Sequence, residues 1–146
     1  MEDEFKEIDK GNAFRGIVFG TPLLTIKKAH LLEQNTYNHD LYYVSDEYFK
    51  QWKGIFFDDV GLGFNLQKKF RAVLMCQYNK EEGDFKELLF KLTRIFGKCS
   101  IENNNGEDYY KWYGKKLSIS LNYTNDKSIE VFISSLLVEK TNEPDC

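Results

Sequence analysis

Two periods organise the apolar positions of this chain. Between 117 and 123, Leu117, Ile119, Leu121 and Tyr123 alternate with Ser118, Ser120 and Asn122. A period of two belongs to a sheet with one buried face and one wet face. Between 84 and 96 the period lengthens: Phe85, Leu88, Leu89, Leu92, Ile95 and Phe96 recur at helical spacing and form one stripe. Asp84 can cap this helix, with Glu87 completing a capping box and Gly97 ending it. Burying such a stripe, at roughly 1.5–3 kcal/mol per side chain, makes this helix a main organiser of the core.

The remaining elements are shorter. Phe14 to Phe19 is a strand. Gly20-Thr21-Pro22 then signals a helix over 22–32, with Thr21 as cap and Pro22 at the first position. Its pattern is only moderately amphipathic, since Leu24 and Leu31 lie nearly opposite Leu23, Ile26 and Ala29. After a polar loop over 35–40, strands are expected at 41–44, 52–57, 60–66 and 70–78, with 45–51 ambiguous. The connections at Asp58-Asp59 and Gln67-Lys68-Lys69 are too short for parallel crossovers. Residues 101–108 read as a polar loop with an Asn105-Gly106 turn, and strands follow at 109–113, 116–123 and 128–138. The order β-α-βββ-α-βββ predicts a two-layer α+β fold, an antiparallel sheet of about six to eight strands with two helices on one face. Residues 1–12 are expected to be a flexible acidic segment, 13–140 a single α+β domain and 141–146 a flexible tail.

Composition narrows the function classes. A chain of 146 residues with 42% apolar, 29% charged and 16% aromatic residues is globular and fits one domain. A net charge of -3 disfavours sequence-independent nucleic-acid binding. No apolar run approaches the ~18 residues of a membrane span, and the charged first ten residues lack the core of a signal peptide. The expected location is cytoplasmic as written, or periplasmic or envelope if an export signal has been removed. Cys76, Cys99 and Cys146 are odd in number and form no CxxC pair, which disfavours a disulfide framework or a zinc site. Unpaired thiols are expected, with a Cys76–Cys99 bridge as the other reading. Asn122-Tyr123-Thr124 matches a glycosylation sequon, a pattern common by chance.

Catalytic groupings are sparse. His30 and His39 are the only histidines, one on the expected first helix and one in a polar loop. Adjacent Asp58 and Asp59 read as a turn; a carboxylate pair would need a distant partner such as Asp40 or Glu47. Gly61-Leu62-Gly63 lacks the lysine and following helix of a phosphate loop and suits a bulge or close packing. No catalytic residue, metal site or cofactor is therefore expected, and the chain is not expected to be an enzyme. An enzyme of scattered carboxylates and tyrosines would need a cleft joining His30 or His39 to Asp58 or Glu47.

The aromatic strand 109–113 is more informative. If Trp112 packs inward, Tyr109, Lys111 and Tyr113 project from the open sheet face. The next strand adds Ser118, Ser120 and Asn122, and the last adds Phe132 between Glu130 and Ser134. Arg71, Val73 and Met75 are candidates for the same side. Tyrosine beside small polar residues is typical of recognition surfaces. Tyr109, Lys111, Tyr113, Ser118, Ser120 and Phe132 form the expected binding surface. Phe90 points away from the helical stripe; a lone exposed Phe is ordinary, with cover by the N-terminal segment through Phe5 and Ile8, or a second contact patch, as the other readings.

The segment Phe14-Arg15-Gly16-Ile17-x-Phe19-Gly20-Thr21-Pro22 resembles the opening of a group of small bacterial α+β domains. Leu92-x-x-Ile95-Phe96-Gly97, followed by Trp112 and an alternating strand, is also similar. The layout resembles that of β-lactamase-inhibitor-like domains. The resemblance implies a non-enzymatic, mostly exported module that binds proteins or envelope components. The expected function is a non-catalytic protein-binding domain, specifically an inhibitor or immunity-type protein using its open sheet face. The alternative is a small-ligand-binding or cell-envelope accessory module. A protein partner is expected, with no nucleic acid and no membrane insertion, and a homodimer could use the same face.

Overall fold

A computed structural model describes residues 2–26, 31–34, 41–44 and 47–138. The first half of the chain runs through α1 (Glu2–Gly11), β1 (Ala13–Phe14), β2 (Ile17–Val18), a 3-10 turn (Leu23–Thr25), β3 (Leu31–Gln34) and β4 (Leu41–Val44). A second 3-10 turn (Glu47–Lys50), β5 (Gln51–Trp52), β6 (Ile55–Phe56), β7 (Asp59–Phe64) and β8 (Phe70–Gln77) follow. Then come α2 (Glu82–Phe96), β9 (Ser100–Asn104), β10 (Glu107–Tyr113), β11 (Leu117–Tyr123) and β12 (Ile129–Ser135). The fold is α+β. Eight strands form an antiparallel sheet in the order β3-β4-β7-β8-β12-β11-β10-β9, with β1–β2 and β5–β6 as small separate hairpins.

Turn chemistry fixes the hairpins. Between β7 and β8, the buried Asn65 accepts hydrogen bonds from the Gln67 and Lys69 N–H groups on its Oδ1, each 3.0 Å. Between β9 and β10, Asn105 and Gly106 both have positive φ, 55° and 85°, as a two-residue hairpin turn requires. The meander β9 to β12 closes on β8, whose hydrogen bonds to β12 join the two halves of the sheet.

Cross-strand register sorts the side chains. Trp112, Ile119, Ile133, Val73 and Leu62 form one row across five strands, and Tyr110, Leu121, Val131, Met75 and Val60 form the next. The α2 stripe of Phe85, Leu88, Leu92 and Phe96 is buried in the same apolar cluster. Phe85 lies 5.6 Å from both the Tyr110 and the Tyr123 ring. Phe96 lies 5.7 Å from Trp112, 5.6 Å from Trp52 and 5.9 Å from Phe5. Both helices and the β5–β6 hairpin therefore gather on one side of the sheet. Gly97, with φ of 95°, ends α2, and its carbonyl accepts the Trp112 Nε1–H at 2.9 Å.

Several sequence expectations are corrected. Among the described residues of 22–32 the expected helix does not form: a 3-10 turn spans Leu23–Thr25, and β3 begins at Leu31. Thr21 Oγ1 donates to the Val18 carbonyl instead of capping a helix. The backbone here pairs with the start of β8, through Gly20 N–H to Phe70 O, Phe70 N–H to Thr21 O and Leu23 N–H to Lys68 O. That pairing satisfies the donors a helix would have used, and the divided apolar pattern offered no single face to bury. The capping box of α2 lies one turn earlier than expected, formed by Glu81 and Asp84. Where a polar loop was expected over 101–108, β9 and the start of β10 form a hairpin, and β10 continues through the strand expected at 109–113. Every residue of β9 is exposed, so no alternation marked it as a strand. Residues 141–146 lie outside the described residues.

The N-terminal segment, expected to be flexible, contains the helix α1. Phe5 is buried against Phe96, while Phe90 remains 64% exposed beneath the Arg94 guanidinium. Phe90 is thus an exposed ring, and the alternative of cover by Phe5 and Ile8 is corrected. Asp9 anchors the other end of α1: its carboxylate accepts the N–H groups of Lys115, Lys116 and Leu117 at 2.9, 2.8 and 3.0 Å. A Cβ on Gly114 would fall on this carboxylate, so the turn needs glycine for space. Burial raises the Asp9 pKa, but the three backbone donors and Lys116 outweigh it and hold the carboxyl below its ordinary 3.8.

Asp9→Ala is expected to destabilise the protein by about 1–2 kcal/mol at neutral pH, measured by urea denaturation. A depressed folded pKa contributes stability above the unfolded value and loses it as pH falls through the folded one. The difference between variant and parent therefore shrinks below about pH 3.8.

Candidate functional site

The opposite face of the sheet carries the second set of side chains. Tyr113, Ser118, Ser134, Ala72 and Gly63 form one row. Lys111, Ser120, Phe132, Leu74 and Gly61 form the next. Asn122, Glu130, Cys76 and Asp59 follow, with Tyr109 of the same parity on β10 and paired to Glu102 of β9. All six residues expected to form a binding surface, Tyr109, Lys111, Tyr113, Ser118, Ser120 and Phe132, stand on this face. Arg71, Val73 and Met75 are a correction. Val73 and Met75 are fully buried on the helical side, Leu74 occupies the open face, and Arg71 sits where the β7–β8 register shifts.

Phe132 and Tyr113 are exposed, at 37% and 54%. Between the β9–β10 hairpin and β12 runs a groove of about 440 Å³, with Leu74 and Phe132 as apolar lining and Lys111, Asn122 and Glu130 as polar lining. Short side chains at Ser120 and Asn122, beside the taller Tyr109 and Glu102, give it depth.

Charge is arranged unevenly along this groove. Glu102 accepts the Tyr113 hydroxyl at 2.5 Å and pairs with Lys111 Nζ at 3.3 Å. The Tyr113 hydrogen bond and the Lys111 charge hold the Glu102 carboxyl below its ordinary range despite some desolvation. Lys111 also lies 6.0 Å from the Tyr109 ring centre and 5.8 Å from that of Tyr113, which is cation–π distance. The Tyr109 hydroxyl donates to Glu107 at 3.1 Å. Glu130 has no hydrogen bond or ion pair among the described residues. Burial raises its pKa above 4.5, and the negative charges of Asp126 and Glu107 raise it further.

The other candidates are placed as follows. Asp58 accepts the Tyr78 backbone N–H at 2.8 Å and Asp59 accepts the Tyr78 hydroxyl at 2.7 Å. Both aspartates therefore serve Tyr78 at the β7–β8 end. Cys76 is buried beside them, its thiol pushed up to about 12 by desolvation and by Glu130, and Cys76 and Cys99 are both free thiols. Gly61 and Gly63 lie in β7, with a register irregularity directly after Gly63. Asn122 of the sequon pattern is buried within β11. His30, His39, Asp40 and Cys146 lie outside the described residues. Among the described residues, no group of three or more His, Cys, Asp or Glu side chains is placed to hold a metal, and no helix is long and apolar enough to cross a membrane.

Sequence reasoning missed Leu74 and Glu102. Leu74 was hidden because β8 is apolar on both faces, so parity alone could not tell core from groove. Glu102 fell in the segment read as a loop, although the Asn105-Gly106 turn between polar runs is a hairpin signal. No family model, curated protein or solved structure matches this chain.

Glu130→Gln is expected to raise the urea midpoint at pH 7. A raised folded pKa means the folded state prefers the protonated acid, so charging it costs stability as pH rises through the folded value. The gain should close as pH falls below the ordinary 4.5, which urea titrations at pH 4 and 7 would show.

Proposed function

We propose that this chain is a non-catalytic protein-binding domain that works through the helix-free face of its sheet, with an inhibitor or immunity-type protein as the specific form. One observation carries the reading: Tyr109, Lys111, Tyr113, Ser118, Ser120 and Phe132 share that face. The exposed aromatic rings at positions 113 and 132 stand among short polar side chains. Rigid aromatic side chains give large contact area at low entropic cost, and small polar neighbours adapt to a partner's hydrogen bonds. A domain of this kind would occlude its partner and leave it chemically unchanged.

A second reading, a small-ligand-binding or envelope accessory module, is favoured by the groove itself. Its volume of about 440 Å³ lies within the usual range of ligand sites.

The test is photocrosslinking from position 132 in the native source, followed by quantitative binding of the captured protein. Tyr113→Ala and Phe132→Ala should each weaken that complex by about tenfold or more, as interface aromatics do, while leaving the melting temperature of the free protein within a few degrees. Undiminished binding by the double variant would remove this face as the working surface. Melting shifts across a metabolite library, with no protein captured, would favour the second reading.

A further inference from the structure

Asn122 is unusual among the residues of the groove. It is only 4% exposed and lines the groove wall. Its side-chain amide nevertheless makes no hydrogen bond among the described residues. The amide atoms are not themselves sealed from solvent, so they stand open to whatever enters the groove. Directly across the β11–β12 ladder stands Glu130, at the ~4.5–5.5 Å Cβ spacing of cross-strand neighbours. Its carboxylate is equally without a partner. The charged and tyrosine groups around them are engaged: Lys111 and the Tyr113 hydroxyl with Glu102, and the Tyr109 hydroxyl with Glu107.

An amide, a carboxylate and an apolar floor thus remain open together. We propose that the groove receives an arginine side chain presented by the partner protein, with Glu130 pairing the guanidinium, Asn122 accepting a further N–H, and Leu74 and Phe132 packing against the methylenes. This rests on the reading of the sheet face as a protein-binding surface and names the chemistry it selects. The planar guanidinium carries five donors in a fixed fork, which can meet a carboxylate and a neighbouring amide oxygen at once. A lysine brings a compact point charge that cannot span both in one plane. Anionic ligands are disfavoured by Glu130, Glu107 and Asp126, whose mutual repulsion a cation relieves. Lys111 does not oppose the cation strongly, because Glu102 compensates it at 3.3 Å.

The experiment titrates the full, isotope-labelled chain with Nα-acetyl-arginine amide and follows the Asn122 side-chain resonances by NMR. The neutral citrulline analogue and the lysine analogue serve as comparisons. Expected is a saturable shift with arginine, at least about tenfold weaker with citrulline and in Glu130→Gln, the loss typical of one charge-assisted hydrogen bond. Glu82→Gln, an exposed change in the first turn of α2, should leave the titration unaltered. Equal binding of citrulline and arginine, preference for lysine, or no shift at Asn122 would overturn the proposal. The citrulline comparison on the unaltered chain decides even if a variant does not fold. If arginine does not bind but Tyr113→Ala and Phe132→Ala release the captured protein, this inference alone fails. If arginine binds but those changes release nothing, the wider docking face fails and the arginine pocket stands.

Discussion

The ring of Phe96 touches Phe5 of α1, Trp52 of the β5–β6 hairpin and Trp112 of the sheet. Three segments far apart in sequence are held to one point by aromatic packing, which is worth more than its buried area alone. Everything bulky in the cover layer is drawn to that side. The cross-strand rows centred on Ile119 and Leu121 are sealed beneath it, and the fully buried Leu92 lies in the same layer. The consequence is asymmetry. A sheet whose apolar surface is spent on one side leaves the other to side chains chosen for different reasons.

On that other side the residues are short where the sheet is central and tall toward β9 and β10. Gly61, Gly63, Ala72, Ser118, Ser120 and Ser134 keep the surface low, while Tyr109, Tyr113 and Glu102 rise at one end. The relief is set by residue size, and its electrostatics by one detail of pairing. Lys111 is matched by Glu102, which leaves Glu130 uncompensated within the groove and repelled by Glu107 and Asp126. Neither helix takes part in this chemistry; their contribution is to bury the sheet's other face.

Legibility in the sequence followed the strength of the physical signal. The α2 stripe and the alternation of β11 are long and regular, so their type and the orientation of Tyr109, Lys111 and Tyr113 could be read directly. The β7 and β8 strands were readable as strands, but with apolar residues on both parities their faces were not. Val73 and Leu74 consequently exchanged places. Two errors came from tertiary effects. Gly20 to Leu23 carries the local signals of a helix start, yet the free backbone of Lys68 to Phe70 offered it strand-like partners. The acidic N-terminus looked like a loose end because its helix is stabilised by contacts with residues more than a hundred positions away. The edge strand β9 has no buried face and so leaves no periodic trace.

That distant anchor has a bearing on the order of events during synthesis. Asp9 leaves the ribosome more than a hundred residues ahead of the amides that receive its carboxylate, those of Lys115, Lys116 and Leu117. Phe96, the aromatic partner of Phe5, also emerges late. Helix α1 is therefore made well before its seat exists, and it must wait in water until the β10–β11 hairpin has closed. The seven charged residues among positions 1–10 suit it to that interval, since a polar segment can remain solvated while the core assembles.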